Sequence, residues 1–428
     1  MSLLGAMSTA ISGLTAQSRA LGNVSENVAN SQTVGFKRVD TSFVSYITDT
    51  SQQINRPGTV VARPDYTNTI QGTIEQTENP LGLAISGQGF FSVAMATGNE
   101  NDAVQFDERQ FYTRAGDFAL NRDGFMVNSA GYFLQGWQTG ATGTLDRTQM
   151  SPIRISQLVF NPIGTSSVDL AANLPAGGTD PVSSQVNVYD SLGTLQPLTL
   201  TWTPAGTNSW TLDISAASGS LGTVDVNFGQ AAATPAPDGT IGEFANATGS
   251  IVPSGTAAGD PAQLAFAADF GQGAQSITLD LGAIGEAAGV TQYAGDEYTV
   301  RNLTQNGVPL GAYSSVSIKE NGDVSVNYDN GQSRVIARVP ITTFNDADRL
   351  QRLDGQAYMR TVESGEARVS DPANNGAGRL ATAAIERSNV DIASEFSKLI
   401  VAQRAYSANT RVVTTSDELL QDTINMRR

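Results

Sequence analysis

The residues able to do chemistry are almost all carboxylates. The 428-residue chain carries 41 Asp and Glu against 25 Lys and Arg, with no His and no Cys. Without imidazole or thiolate, the usual zinc sites and the Ser–His and Cys–His nucleophile pairs are excluded. Two-carboxylate hydrolysis remains, which needs an acid and a base or nucleophile flanking one bond. The local clusters are Asp107–Glu108, Asp296–Glu297, Asp346/Asp348 and Asp417–Glu418. The last lies on the exposed side of a helical pattern and the others in turn-like contexts, so all four read as solvated charge. Asp190 of DSLG starts a turn rather than a metal loop or nucleophile elbow. NRDGF offers a single carboxylate where a calcium loop needs several. The glycines of GQGFF lead into no helix, so they make no phosphate cradle. The reading is a protein that is not an enzyme, with no catalytic, cofactor-binding or metal-binding residue.

A formal charge of −16 repels nucleic acid and anionic membrane alike, and no run approaches the roughly 18 apolar residues of a membrane span. The opening MSLLGAMSTAISGLTAQSR lacks the basic n-region and unbroken apolar core of a secretory signal. A chain without cysteine suits passage, unfolded, through an oxidising space.

The elements that would position any site fall into three kinds. Both ends are heptad-patterned helices. At the front Met7, Leu14, Leu21 and Val28 stand seven apart, with Leu3, Ala10 and Val24 on the same stripe; at the back Ile392, Leu399, Tyr406, Val413 and Leu420 do the same, joined by Phe396 and Ile424. A seven-residue repeat keeps one seam facing a partner helix, and a lone amphipathic helix in water is marginal. The ends must therefore meet each other or the ends of neighbouring copies. The first helix spans about 3 to 30, with Ser2 as its N-cap and NVANSQTVG as its stop; the last spans about Ile385 to Asn425. Residues 38 to 78 read as an extended arm with local strands. From Leu81 onward the pattern is β, with turns at Ala115–Gly116, Asp123–Gly124, Ala130–Gly131, Ser191–Leu192–Gly193, Asn321–Gly322 and Asn330–Gly331. Residues 230 to 262 are low in complexity and read as a long loop or an inserted hairpin tip.

The fold class expected is α+β, mainly β. Paired terminal helices form a coiled-coil-like domain with two nested antiparallel β domains outside it. The divisions are 1–70 with 371–428, 71–149 with 309–370, and 150–308, the last a barrel or sandwich. Periodicity alone leaves open whether the helices make an internal hairpin or a polymer contact.

The stretch 11 to 38 resembles the N-terminal signature of bacterial flagellar rod and hook proteins, matching it at Ser12, Gly13, Leu14, Leu21, Asn27, Ala29, Asn30, Thr33, Gly35, Phe36 and Lys37. The C-terminal stretch resembles the family's other signature at Glu386, Ser388, Asn389, Val390, Asp391, Glu395, Gln403, Tyr406, Ala408, Asn409, Asp417 and Leu420. LAISGQGFFSV is similar to the family's central β motif. Within the family, length, VYDSLG and the NYDNGQ hairpin are similar to the hook members rather than the rod members. The resemblance covers 1 to 145 and 310 to 428 well, and 150 to 308 only through VYDSLG.

The resemblance implies a structural subunit that polymerises with itself, through its terminal helices, into a curved and flexible tube. That tube would be a universal joint carrying torque from rod to filament. The implied interface is Met7, Leu14, Leu21, Val28, Ile392, Phe396, Leu399, Tyr406, Val413 and Leu420. Implied partners are the distal rod protein, hook cap protein, hook–filament junction protein and type III export apparatus, with export lacking a cleaved signal peptide and no membrane insertion. The alternatives are a distal-rod protein or, in a different class, a secreted β-rich adhesin or glycan hydrolase with helical oligomerisation ends.

Overall fold

The computed structural model describes residues 3–50, 55–100, 103–140, 143–155, 159–233 and 236–425. The chain divides into two compact units. One comprises Met1–Gln157, Ser315–Asn327 and Ser333–Arg428, and the other Leu158–Ser314 and Tyr328–Gln332.

In the first unit, helix α1 (Leu3–Ala29) runs into an antiparallel hairpin of β1 (Val39–Thr50) and β2 (Asn55–Tyr66), and helix α2 (Ile392–Asn425) closes the chain. The two helices pack on each other, and α1 also packs on both strands of the hairpin. The arm expected at 38 to 78 is thus mostly this hairpin, tied to α1 by side chains. Thr9 Oγ1 donates to Gly58 O (3.0 Å), Val60 N to Ser12 Oγ (3.2 Å), and Asn23 Nδ2 to Thr41 Oγ1 (2.9 Å). The Ser2 cap lies outside the described residues.

The last helix starts at Ile392 rather than Ile385. Residues Ala384–Glu386 form a strand paired with Ile74–Gln76, because Glu386 is drawn into a buried charge cluster that a helix there would break. Asp391 then caps the helix, its Oδ1 accepting from Ser394 N at 3.0 Å and satisfying an otherwise unpaired donor of the first turn. The rest of the unit is centred on a twelve-stranded sheet. Its hairpins turn at Asp123–Gly124, Ala130–Gly131 and Asn321–Gly322, where each glycine takes a positive φ (81°, 85° and 89°).

The second unit is two five-stranded sheets sharing one core. One sheet, from Val182–Tyr189 to Ile241–Ala245, is antiparallel throughout. The other is antiparallel except where Ser167–Asn173 runs parallel to Ala274–Ala283. Period-two alternation points Leu198, Leu200, Trp202, Trp210, Leu212 and Ile214 into the core.

The low-complexity stretch is not a free loop. It supplies an edge strand to each sheet, Ile241–Ala245 and Val252–Ser254, and buries Ile241 and Ile251 in the core. Crossing between two sheets needs only a few apolar anchors among turn-forming residues, which is why the composition hid it.

Candidate functional site

The two terminal signature motifs, more than 340 residues apart in sequence, are bonded to each other. The turn after α1 brings Lys37 inward, where its Nζ lies 2.5 Å from Glu386 Oε1 and 2.6 Å from Ile70 O. Glu386 Oε1 also accepts from Gly72 N (2.8 Å), and Oε2 from Arg114 Nη1 (3.1 Å). Arg114 further donates to Ile85 O (3.2 Å) and Gly87 O (2.8 Å), with its guanidinium over the Phe90 ring. All three charged side chains are at most 1% exposed. Burial pulls the Lys37 ammonium down to about 8, against the upward pull of Glu386. Two cations and one carboxylate thus sit in the interior, where a removed partner is far costlier than at a surface.

Gly35 makes this approach feasible. Its φ is +70°, its N–H donates to Glu386 O (2.8 Å), and a Cβ there would lie 2.4 Å from Ala115 N. Only glycine meets both demands.

A second tie joins the end of α1 to the start of α2. Asn27 Nδ2 donates to Val39 O and to Glu395 Oε2, both at 3.0 Å, while Val39 N donates to Asn27 Oδ1 at 2.9 Å. Lys398 Nζ completes the group, 2.5 Å from Asp40 Oδ1 and 2.7 Å from Glu395 Oε1. Arg38 N donates to Asn389 Oδ1 (2.8 Å), and Asn389 Nδ2 reaches Ile70 O (3.2 Å). Ser388 is buried, with its Oγ accepting from Val390 N (3.3 Å). Thr33 Oγ1 donates to Asn30 Oδ1 (3.2 Å) in the turn that carries Phe36 into the core under Arg352. Ala29 is exposed at the helix end and Val390 half-buried.

The helix pair itself is made of small and polar residues. The deepest positions of α1 are Ala10, Gly13, Ala16, Ala20, Val24 and Asn27, and those of α2 are Glu395, Ala402 and Ser416. Gly13 packs so closely that a Cβ would stand 2.9 Å from Asn409 Nδ2. Met7, Leu14, Leu21, Val28, Leu399, Val413 and Leu420 lie half-buried along the flanks. Ile392, Phe396 and Tyr406 are exposed, as are Ile400, Val401, Val412, Leu419 and Ile424; Phe396 is 51% exposed and Val401 67%. A groove of about 690 Å³ runs between α1, β1 and α2, lined by Ala20, Val24, Phe43, Lys398, Val401 and Ala402.

The carboxylate clusters do not converge. Asp107 is held by Arg109 within its own turn, Asp346 caps Ala347–Arg349, Asp348 accepts from Thr69, and Asp417 accepts from Gln421. Among the described residues no group of three or more His, Cys, Asp or Glu is placed to hold a metal ion. What the site offers is mechanical: a buried clamp fixes both terminal signatures on one β unit and leaves apolar side chains exposed along the helix flanks.

Sequence reasoning named Lys37, Glu386, Asn27 and Asn389 but not their mutual pairing, and missed Arg114, Asp40 and Lys398. The available signal was opposite charge in the two signatures, Lys37 in one and Glu386 in the other.

Four family models match in chain order. They are Flagella basal body rod protein (residues 7–37), Flagellar hook protein FlgE/F/G D1 domain (84–173), Flagellar basal body protein FlaE D2 domain (143–308) and Flagellar basal body rod FlgEFG protein C-terminal (381–426). The flagellar hook protein FlgE of Brucella abortus biovar 1 (strain 9-941) is 32% identical over 438 residues, covering 100% of both chains. That of Rhizobium meliloti (strain 1021) is 31% identical with the same coverage. A crystal structure of Helicobacter pylori flagellar hook protein FlgE2 matches 72% of this chain and 98% of that one, at a TM-score of 0.46 and 14% identity.

Proposed function

This chain belongs to the bacterial flagellar hook protein family, and from that premise we propose that it polymerises through its terminal helices into a curved, flexible tube transmitting torque from rod to filament. Its role is that of a structural subunit of the flagellar hook. Full-length similarity to hook proteins does not favour a distal-rod protein, an adhesin or a glycan hydrolase.

The observation that carries the proposal is the helix pair: its inner seam is small and polar, while large apolar side chains on both flanks face outward. Exposed apolar surface of this extent marks an interaction site. Head-to-tail contacts that do not close generate a helical polymer. In this reading residues 1–70 with 371–428 line the tube, 71–149 with 309–370 form the middle layer, and 150–308 faces outward. The distal rod, hook cap and hook–filament junction proteins cover the tube's ends, and the subunit leaves the cell through the type III export apparatus without a cleaved signal peptide.

The test is Phe396→Asp. The side chain is half exposed in the single chain, so the change should move monomer stability by no more than about 0.5 kcal/mol. In a packed seam the same charge would lack a partner and cost several times that. Sedimentation and negative-stain imaging of concentrated protein should show tubes for the parent and none for the variant. Undiminished tubes would remove this flank from the interface.

A further inference from the structure

We propose that Asn375 is a site of spontaneous deamidation and isoaspartate formation, set apart from the chain's other Asn–Gly steps by the fold. The sequence has four such steps, at Asn306, Asn321, Asn330 and Asn375. Cyclisation needs two groups free at once: the asparagine side-chain amide, and the backbone N–H of the glycine that attacks it. Glycine is the favourable successor because no side chain crowds the five-membered ring.

In three of the four steps both groups are engaged. Asn306 Oδ1 accepts from Ser166 N (2.9 Å) and Ser167 N (3.0 Å), its Nδ2 donates to Ser166 Oγ, and Gly307 N donates to Gln305 Oε1. Asn321 Oδ1 accepts from Asp323 N (3.1 Å), its Nδ2 donates to Asp323 Oδ2 (2.8 Å), and Gly322 N donates to Lys319 O (2.9 Å). Asn330 Oδ1 accepts from Gln332 N (3.0 Å), its Nδ2 donates to Pro309 O (2.9 Å), and Gly331 N donates to Tyr328 O (3.2 Å).

At Asn375 neither group is engaged. It is exposed in the loop between Asp371 and Arg379, and among the described residues nothing bonds its side chain or the Gly376 N–H. Asn375 (φ 52°) and Gly376 (φ 81°) are the central residues of a two-residue turn closed by Ala377 N donating to Asn374 O at 2.9 Å. A Cβ built on Gly376 would meet nothing within 4 Å, so the ring has room.

The step balances without any oxidant or reductant. The Gly376 nitrogen gives up its proton to solvent base and bonds to Asn375 Cγ. The Cγ–Nδ2 bond breaks and ammonia leaves, giving a succinimide. Water then opens the ring, at Cγ to give aspartate or at the main-chain carbonyl to give isoaspartate. Either product adds a negative charge, and isoaspartate adds a methylene to the main chain. Both arise four residues from Asp371, whose carboxylate pairs with Arg147 (2.9 Å) and Arg338 (3.3 Å). The same loop leads into Arg379–Thr382, the strand paired with Leu83–Ser86.

The experiment incubates the full chain, folded and in urea, in warm, mildly alkaline buffer and follows peptides by mass spectrometry with fragmentation that separates isoaspartate from aspartate. In the folded chain Asn375 should convert about tenfold or more faster than Asn306, Asn321 or Asn330, each of which must first lose several hydrogen bonds. In urea the four should converge. Asn375→Gln, which leaves no Asn–Gly step in this loop and whose longer side chain would have to close a slower six-membered ring, should abolish the folded-state signal. The proposal is overturned if Asn375 stays intact in the folded chain while reacting in urea, or if another Asn–Gly step keeps pace with it. Modification localised to Asn374, or persisting in Asn375→Gln, overturns it too.

Discussion

Replacing Glu386 by Gln keeps the shape of the side chain and removes one charge from the interior. Its oxygens neutralise Lys37 at 2.5 Å and Arg114 at 3.1 Å, with all three groups essentially out of solvent. Breaking a buried pair by deleting one partner costs roughly 3–5 kcal/mol, because the remaining charge is left uncompensated. Lys37 softens the loss, since burial already brings its ammonium down to about 8 and it can shed its proton. Arg114 has no such escape, because a guanidinium does not deprotonate in proteins. The lower end, about 3 kcal/mol, is therefore expected, which at roughly 2–4 °C per kcal/mol lowers the melting temperature by about 6–12 °C. The assay is helical circular dichroism on heating. Tryptophan fluorescence, read in a Trp137→Phe background because Trp137 belongs to the same unit as the clamp, serves as an internal control, since Trp202 and Trp210 lie in the core of the other unit. Lys37→Met is the paired variant: Arg114 and Gly72 N still hold Glu386, so its cost should be much smaller. If Glu386→Gln shifts the transition by less than about 2 °C, or no more than Lys37→Met does, the clamp is not what holds the chain ends.

Two further outcomes follow from the same geometry. Lys37 has a folded pKa of about 8 against an ordinary 10.5, so between those values the unfolded chain holds a proton that the folded chain has lost. Stability from this group must then rise with pH across that window. The measurement is the urea midpoint of wild type minus that of Lys37→Met. The subtraction cancels buried tyrosines such as Tyr358, which burial pushes up to about 12, and a flat difference would refute the assignment. Deleting residues 232 to 260 should unfold the two-sheet unit, because it removes Ile241 and Ile251 from the core and truncating even one buried Ile costs about 2–5 kcal/mol. Retained native fluorescence of Trp202 and Trp210, read in a Trp137→Phe background, would contradict this.

The parts legible in sequence were those whose cause is local. Asn321–Gly322 and Asn330–Gly331 are turns because their glycines take positive φ, and the residues that demand this are adjacent. The β pattern of the two-sheet unit shows in the alternation around Trp202 and Trp210. The heptads announced both helices. The face by which those helices meet was less visible, because Ala10, Gly13, Ala20 and Ala402 pack by being small, and apolar patterning is carried by large side chains. The start of α2 was misplaced by seven residues because Glu386 answers to Lys37 and Arg114, which lie far away along the chain. Residues 230 to 262 hid two strands because Ile241 and Ile251 are isolated anchors among turn-formers. Arg114 had no local sign at all, since its meaning depends on a partner 272 residues later.

The clamp also sets an order in time. Lys37 meets Glu386 across 349 residues and Asn27 meets Glu395 across 368, so neither tie can close until nearly the whole polypeptide is present. Bringing such distant points together carries a loop-closure entropy that earlier local contacts do not. The two-sheet core draws on Leu158–Ser314 and Tyr328–Gln332 alone and is free to form sooner. A nascent or partly threaded chain therefore has no means of locking its ends. The molecule becomes able to present its helices only once its last forty or so residues have arrived.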